Sequence, residues 1–449
     1  MSSKYIPHVP NEISEMLKTI GVQSMEDLYQ DIPIKKRTCS ISIPEGQAEA
    51  DVSRNMKEMA QRNQNTQDYA SFCGCGVYHH YIPSVVSSLA NRGEFLTAYT
   101  PYQPEVSQGS LQVFFEFQTM ICELTGMDVA NASLYDGATA CAEAMLMACR
   151  IKKRDRFIVS ELIHPEYIQV METYAKGMQI TLDYLPYNHE TGETDGQALS
   201  HMIDDRTAGF LVGYPNFFGV VENLEGLRHF GKDLFMVVCA QPLSLAILKP
   251  PSRYGADMVV GEAQSFGCHP YLGGMSLGYM SSHNQYIRQM PGRIIGESHD
   301  LDGNRGFVMV LQTREQHIRR SKATSNICSN HAHNALVATI YLSLLGKQGL
   351  RQVAINATKK AHYLAEKIDR MERFRRKYSG PFFNEFVVES DFPTEEIHKE
   401  LLPQKILGPV SLERVYGSPS FHHLSVFSVT EANRLEDIDF LAARLEEML

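Results

Sequence analysis

Apolar positions in the middle of the chain follow two alternating rhythms. Short apolar runs at 156–160, 179–185, 208–212, 234–239 and 258–260 have the length of buried strands. Stretches of helical spacing lie between them, at 165–177, 196–203 and 222–231. Strands alternating with helices predict a parallel sheet covered on both faces, with ligands beyond the carboxyl ends of the strands. Further predicted helices are 111–124, preceded by Ser107 and stopped by Gly126, and one opened by Asp136-Gly137-Ala138-Thr139-Ala140 and running to about Lys153.

The ends of the chain read differently. Residues 1–65 form a predicted N-terminal arm. Asn11 is its first candidate cap, for a helix over 12–20 stopped by Gly21, and Ser24 caps a shorter one over 25–30. The polar stretch 49–63 is a predicted surface helix. A large α/β domain over 66–330 follows, and then a smaller α+β domain over 331–449. Residues 305–346 read as mostly helical, and 385–389 and 424–429 as strands separated by helices.

Composition narrows the class. With 449 residues, 43% hydrophobic and 21% charged, the chain has a globular balance and length enough for a large core. A net charge of −10 argues against nucleic-acid binding, the local basic run 314–322 being the exception. No apolar run approaches the ~20 residues of a membrane span, and the N-terminus has no signal-peptide core. Nine scattered cysteines then read as reduced thiols in a cytoplasmic protein.

Four stretches carry candidate chemistry. Tyr99-Thr100-Pro101-Tyr102-Gln103-Pro104 is a proline-fixed loop presenting tyrosines, a pattern suited to a site or an interface. Asp136 to Ala140 opens a helix whose free N–H groups suit an anion, although many helices start this way. Thr324-Ser325, after Arg319, Arg320 and Lys322, reads equally as a phosphate contact or as a helix cap beside a solvated basic face. Cys73, Cys75, His79 and His80 are metal-capable, but their spacing matches no structural zinc pattern and suits glycine-rich packing as well.

Longer runs carry a resemblance. FLTAYTPYQPEVSQG (95–109), DVANASLYDGATA (128–140), YPNFFG (214–219), LQTREQHIRR (311–320) and ATSNIC (323–328) resemble the glycine decarboxylase family. These are the P proteins of the glycine cleavage system, and the likeness is to the α subunit, subunit 1, of the two-subunit form. The resemblance implies an aminotransferase-like fold (pyridoxal-phosphate-dependent transferase, fold type I), with a mostly parallel central sheet and a smaller C-terminal α+β domain. It implies an α2β2 assembly that decarboxylates glycine and passes the aminomethyl group to the lipoylated H protein. The β subunit supplies the Schiff-base lysine and the aspartate facing the pyridinium nitrogen. In this chain Gln264 stands at the lysine position, and the aspartate position falls near Val238-Cys239, without a carboxylate.

From this follow the expectations for the site. Pyridoxal phosphate is bound by the β subunit rather than covalently by this chain, which is inactive alone. Tyr99, Tyr102 and Gln103 reach across the α/β interface, and Thr324 and Ser325 face the partner's cofactor phosphate. Wording departs from the family at Cys268-His269-Pro270-Tyr271 and Met275-Ser276. The alternatives are a scaffold or regulatory pseudoenzyme of the same fold, or a self-sufficient enzyme using another lysine such as Lys249.

Overall fold

A computed structural model describes residues 8–37, 42–96, 100–271, 274, 276–327 and 329–448. Two units are distinguished, residues 1–63 and 64–449. In the first, α1 (Pro10–Ile20) starts earlier than the expected Asn11 cap, with Val9 at its N-cap. Proline suits the first helical turn, where its missing N–H costs nothing, and Glu12 Oε2 accepts the Val9 N–H at 3.0 Å. Gly21 ends the helix at φ 86°. A 3-10 turn over Met25–Tyr29 follows Ser24, and α2 covers Glu49–Ala60. None of these elements buries a residue.

In the second unit, α3 (Gln108–Thr125) starts after Ser107 and stops at Gly126, φ 72°. A short strand β1 (Val129–Ala130) leads to α4 (Gly137–Lys152), capped by Asp136, whose carboxylate accepts the Thr139 N–H at 2.6 Å. The chain then alternates as β2 (Arg156–Ser160), α5 (Pro165–Met178), β3 (Thr181–Leu185), α6 (Gly196–Met202), β4 (Thr207–Tyr214), α7 (Leu224–Phe230), β5 (Phe235–Ala240) and β6 (Met258–Glu262). These are the five expected strands, and they pair in parallel in the order β3-β2-β4-β5-β6. A reversed strand β7 (Gly278–Ser282) adds antiparallel to β6, and β1 pairs antiparallel to β7.

Both faces of this sheet are covered, and strand periodicity assigns the residues to them. Along β5, Phe235 and Val237 join one core with Phe157, Leu211 and Val260, while Met236 and Val238 join the other with Phe210 and Val259. All of these are fully buried, each contributing about 1.5–3 kcal/mol of apolar burial for the larger side chains.

Residues 294–310 correct the sequence reading. The stretch expected to be helical from 305 begins with a strand. β8 (Ile294–His299) and β9 (Arg305–Val310) form an antiparallel hairpin, turned through Gly303 at φ 84°. Its backbone is held by two carboxamides of α3. Gln118 accepts from the Ile295 N–H at 2.9 Å and donates to Ile295 O at 3.0 Å. Gln108 does the same to Phe307, at 2.8 and 2.9 Å.

Helix α8 (Ala332–Ile368) breaks at Gly346, φ 57°. Its first half packs in the core that contains Phe114 and Phe117, and its second half sends Ala361, Leu364 and Ile368 into a third core. That core lies against a four-stranded antiparallel sheet of β10 (Phe374–Arg376), β11 (Glu385–Ser390), β12 (Val410–Ser411) and β13 (Leu424–Ser428), in the order β10-β11-β13-β12. Helices α9 (Thr394–Leu401) and α10 (Leu435–Glu446) complete it. No helix among the described residues is long and apolar enough to cross a membrane.

Candidate functional site

Two places deserve the name, and they are built differently. The first lies beyond the carboxyl ends of β4, β5 and β6, where a doubly covered parallel sheet places its ligands. A cavity of about 80 Å³ remains there, bordered by Tyr78, His164, Cys239, Gln241, Glu262 and Glu385 among others. His164 stacks on Tyr167 with ring centroids 4.9 Å apart.

Gln264, just past β6, is buried and clamps a remote segment. Its Oε1 accepts the Tyr78 N–H at 3.1 Å, while its Nε2 donates to Tyr78 O at 3.2 Å and to Cys268 O at 2.5 Å. Both ends of the carboxamide are thereby used. Cys239, at the end of β5, lies against the Cys141 thiol. Lys249 is exposed instead, its Nζ 4.1 Å from the Tyr254 ring centroid, and does not border the cavity.

Two carboxylates reach the cavity with their oxygens already engaged. Glu385 accepts the Cys75 N–H at 3.0 Å and the Tyr78 hydroxyl at 2.7 Å. Burial pushes its pKa up to about 7. Gly74 is needed for this approach, since a Cβ there would lie 2.5 Å from Glu385 Oε2. Glu262 accepts three backbone N–H groups: Gly137 at 3.0 Å, Gln264 at 3.0 Å and Leu277 at 2.6 Å. Burial raises it to about 7 against the opposing pull of those donors. Among the described residues, Gln241 Nε2 is a buried side-chain nitrogen at this cavity without a protein partner, and the cavity has room for water beside it.

A pyridoxal phosphate needs an amine to link to, a carboxylate facing its ring nitrogen, and donors for its phosphate. At the places the family likeness assigns to the first two, this chain holds the committed Gln264 carboxamide and, near Val238-Cys239, no carboxylate. At the anion site expected from Asp136 to Ala140, the Gly137 N–H is held by Glu262. The residues present do not fit the cofactor.

Two of the expected metal-capable residues make polar contacts far along the chain. The Cys73 thiol donates to Gly408 O at 3.1 Å, and His80 Nδ1 lies 2.8 Å from Glu431. Among the described residues no group of three His, Cys, Asp or Glu is placed to hold a metal ion.

The second place gathers the tyrosine loop, the β8–β9 hairpin and the segment 312–327. Tyr99 lies outside the described residues. Tyr102 is 50% exposed, its ring 5.8 Å from His317 and 5.7 Å from the Arg293 guanidinium. Gln103 is exposed beside it. Gln108 ties this loop to the hairpin, since its Nε2 bonds both Pro104 O, at 2.7 Å, and Phe307 O.

The basic run is not one solvated face. Arg314 is buried and donates to the carbonyls of Met290, Gly292 and Leu311. Burial lowers its pKa. Ser325 is also turned inward: its hydroxyl donates to the buried Glu143 carboxylate at 2.5 Å. Thr324 is half-buried, with its N–H given to Arg314 O at 3.0 Å. Sequence reasoning missed Arg293 and His317, and the signal for His317 was its place two residues before the Arg319-Arg320 pair. It also missed Glu262, a lone acid closing an apolar strand.

Comparison with known proteins is consistent across methods. The profile of the family described as "Glycine cleavage system P-protein" matches residues 3–445. A Thermotoga maritima protein, "Probable glycine dehydrogenase (decarboxylating) subunit 1", is 47% identical over 443 residues, covering 98% of this chain and 99% of that protein. A Bacillus cereus protein of the same description is 47% identical over 445 residues, 98% of each. Among solved structures, an inhibitor-bound glycine decarboxylase (P-protein) of the glycine cleavage system superposes with TM-score 0.90 at 39% identity, over 100% of both chains. A Lactobacillus brevis glutamate decarboxylase superposes with TM-score 0.69 at 12% identity, over 92% of this chain and 97% of that one. That likeness speaks for the fold alone, the pyridoxal-phosphate-dependent fold type I.

Proposed function

This chain belongs to the glycine cleavage system P-protein family, and from that premise we propose how labour is divided in a two-subunit glycine dehydrogenase (decarboxylating). The chain acts as one of the two subunits, the one without a Schiff-base lysine. The homologous β subunit binds pyridoxal phosphate, which supplies the electron sink for loss of CO2 from glycine. The aminomethyl group passes to the lipoyl arm of the H protein. The assembly is an α2β2 heterotetramer, since a pair with one incomplete half has reason to keep a symmetric dimer geometry and duplicate it. It works in the cytoplasm.

The contribution of this chain is its tyrosine loop. Tyr99, Tyr102 and Gln103 offer neutral hydrogen bonds at the partner's site, and add no charge that would oppose departure of the carboxylate. Glycine has no side chain to recognise, so polar contacts must orient it. Two prolines and the Gln108 clamp restrain residues 101–104, which lowers the ordering cost of presenting Tyr102 and Gln103. Thr324, with Ser325 beside it, offers a hydroxyl to the partner's cofactor phosphate. The observation that carries this reading is the exposure of Tyr102, at 50%, on a pinned loop.

The test uses the co-expressed pair. Tyr99→Phe and Tyr102→Phe each delete one hydroxyl and keep the ring. At least one should lose about 1–3 kcal/mol of transition-state stabilisation in kcat/KM for glycine. Light scattering should still report twice the αβ mass. If both variants keep full kcat/KM, the loop only packs an interface. Borohydride reduction with peptide mapping should place the pyridoxyl-lysine on the partner; a labelled Lys249 or Lys322 would reverse the assignment.

A further inference from the structure

We infer that the carboxylate of Glu262 is a built-in anion ligand, occupying a site that a phosphate group would otherwise take. Three backbone N–H groups converge on it, two of them from elsewhere in the chain: Gly137 at the first turn of α4 and Leu277 at the entry to β7, with Gln264, two residues further along its own loop, as the third. A helix start alone would be weak ground. Here the other two donors do not belong to α4, and all three meet one anion. Such convergence is how backbone amides make an anion-binding concavity. The partners are all donors, so the deprotonated carboxylate meets them without an O–H of its own left seeking an acceptor.

The surroundings exclude a second anion while Glu262 is present. The Asp136 carboxylate already caps Thr139 on the same helix end, and its charge opposes the Glu262 charge. Tyr167 covers the helix start, its hydroxyl lying 2.7 Å from where a Cβ on Gly137 would stand. Glu262 also borders the cavity, which gives the site a route to solvent. The glutamate therefore joins α4, β6 and β7 with its own negative charge, and the chain needs no cofactor to hold those three together. This goes beyond the loop's role at the partner site and does not depend on it.

Chemical rescue tests the inference on the co-purified complex. Glu262→Ala removes the carboxylate and leaves space bordered by the three donors. Its Tm should fall, and millimolar inorganic phosphate should raise it by about 2 °C or more beyond the gain of the parent at matched ionic strength with chloride. Glu262→Gln fills the space but presents an N–H2 to one of the donors, so it should lose stability without phosphate-specific rescue. Equal gains for parent, Glu262→Ala and Glu262→Gln would overturn the inference. If Glu262→Ala does not fold, amide exchange on the nearly isosteric Glu262→Gln decides. The donor that faces the new N–H2, Gly137 or the Gln264–Leu277 pair, should lose protection there, and unchanged protection at all three would overturn the inference.

Discussion

The sheet-end cavity and the tyrosine loop stand in opposite relation to the rest of the molecule. At the cavity, the acids and the key carboxamide are spent inside the chain. Glu262 meets three N–H groups, Glu385 two donors and Gln264 two carbonyls and an N–H. At the loop, Tyr102 and Gln103 are exposed, though the backbone beneath them is tied down through Gln108. A closed site wants nothing from outside, whereas a rigid exposed one is complete only when something else meets it. On the proposed division of labour, a duplicated fold loses one function and keeps another because the two depend on different loops.

The strongest challenge to the closed side is Gln264→Glu. The new carboxylate has no hydrogen for Tyr78 O or Cys268 O and is buried. Chemical unfolding of the complex should show a loss of about 3 kcal/mol or more. A loss below ~1 kcal/mol would mean the clamp is slack and the cavity less committed than its geometry implies.

On the open side, Tyr102→Phe should lower kcat/KM by about 1–3 kcal/mol with Tm unchanged within ~0.5 kcal/mol of stability. A Tm loss with full activity would make the loop another piece of packing, and the contrast would dissolve.

Smaller in size is the pH response of Glu385. Burial lifts it from the ordinary 4.5 to about 7. The folded chain therefore keeps a proton that the unfolded chain has lost between those values. The stability linked to it is complete below the unfolded pKa and is lost as pH rises through the folded one. Thermal melts should fall between about pH 5 and pH 8, and Glu385→Gln should flatten part of that slope. An unchanged slope would remove Glu385 from the account.

Least affected should be Arg305→Ala. Arg305 bonds Glu297 at 2.8 Å and lies over the Phe307 ring at 4.9 Å, but it is exposed. Equilibrium melts should shift by no more than ~0.5–1 kcal/mol. A larger shift would say that the hairpin leans on its edge charges rather than on the two glutamine clamps.

Much of this was legible in the chain. The five parallel strands showed because each is a short apolar run between helical stretches, and α3 and α4 because Ser107, Gly126 and Asp136 mark their ends. The β8–β9 hairpin escaped because its outer positions are polar and charged, and its hold comes from α3. The Asp302-Gly303-Asn304 turn was the missed clue. The lysine position at Gln264 was legible only through family likeness. Its partner Tyr78 lies 186 residues away, beyond anything local spacing reveals. The hold on the Ser325 hydroxyl was not legible, because the buried Glu143 that takes it is 182 residues distant.

Three glutamines in this protein behave as short pieces of strand. Gln108, Gln118 and Gln264 each pair through one carboxamide with both main-chain groups of a single residue: Phe307, Ile295 and Tyr78. Such a contact reads peptide geometry and is blind to the side chain of the residue it holds. Inheritance should therefore be lopsided. Phe307, Ile295 and Tyr78 are free, as far as the clamp goes, to drift among residues of similar bulk, whereas each glutamine is fixed. The same chemistry sets what a Gln→Glu change would do at any of the three: a carboxylate has no N–H for the carbonyl it faces, so that half of the clamp is lost.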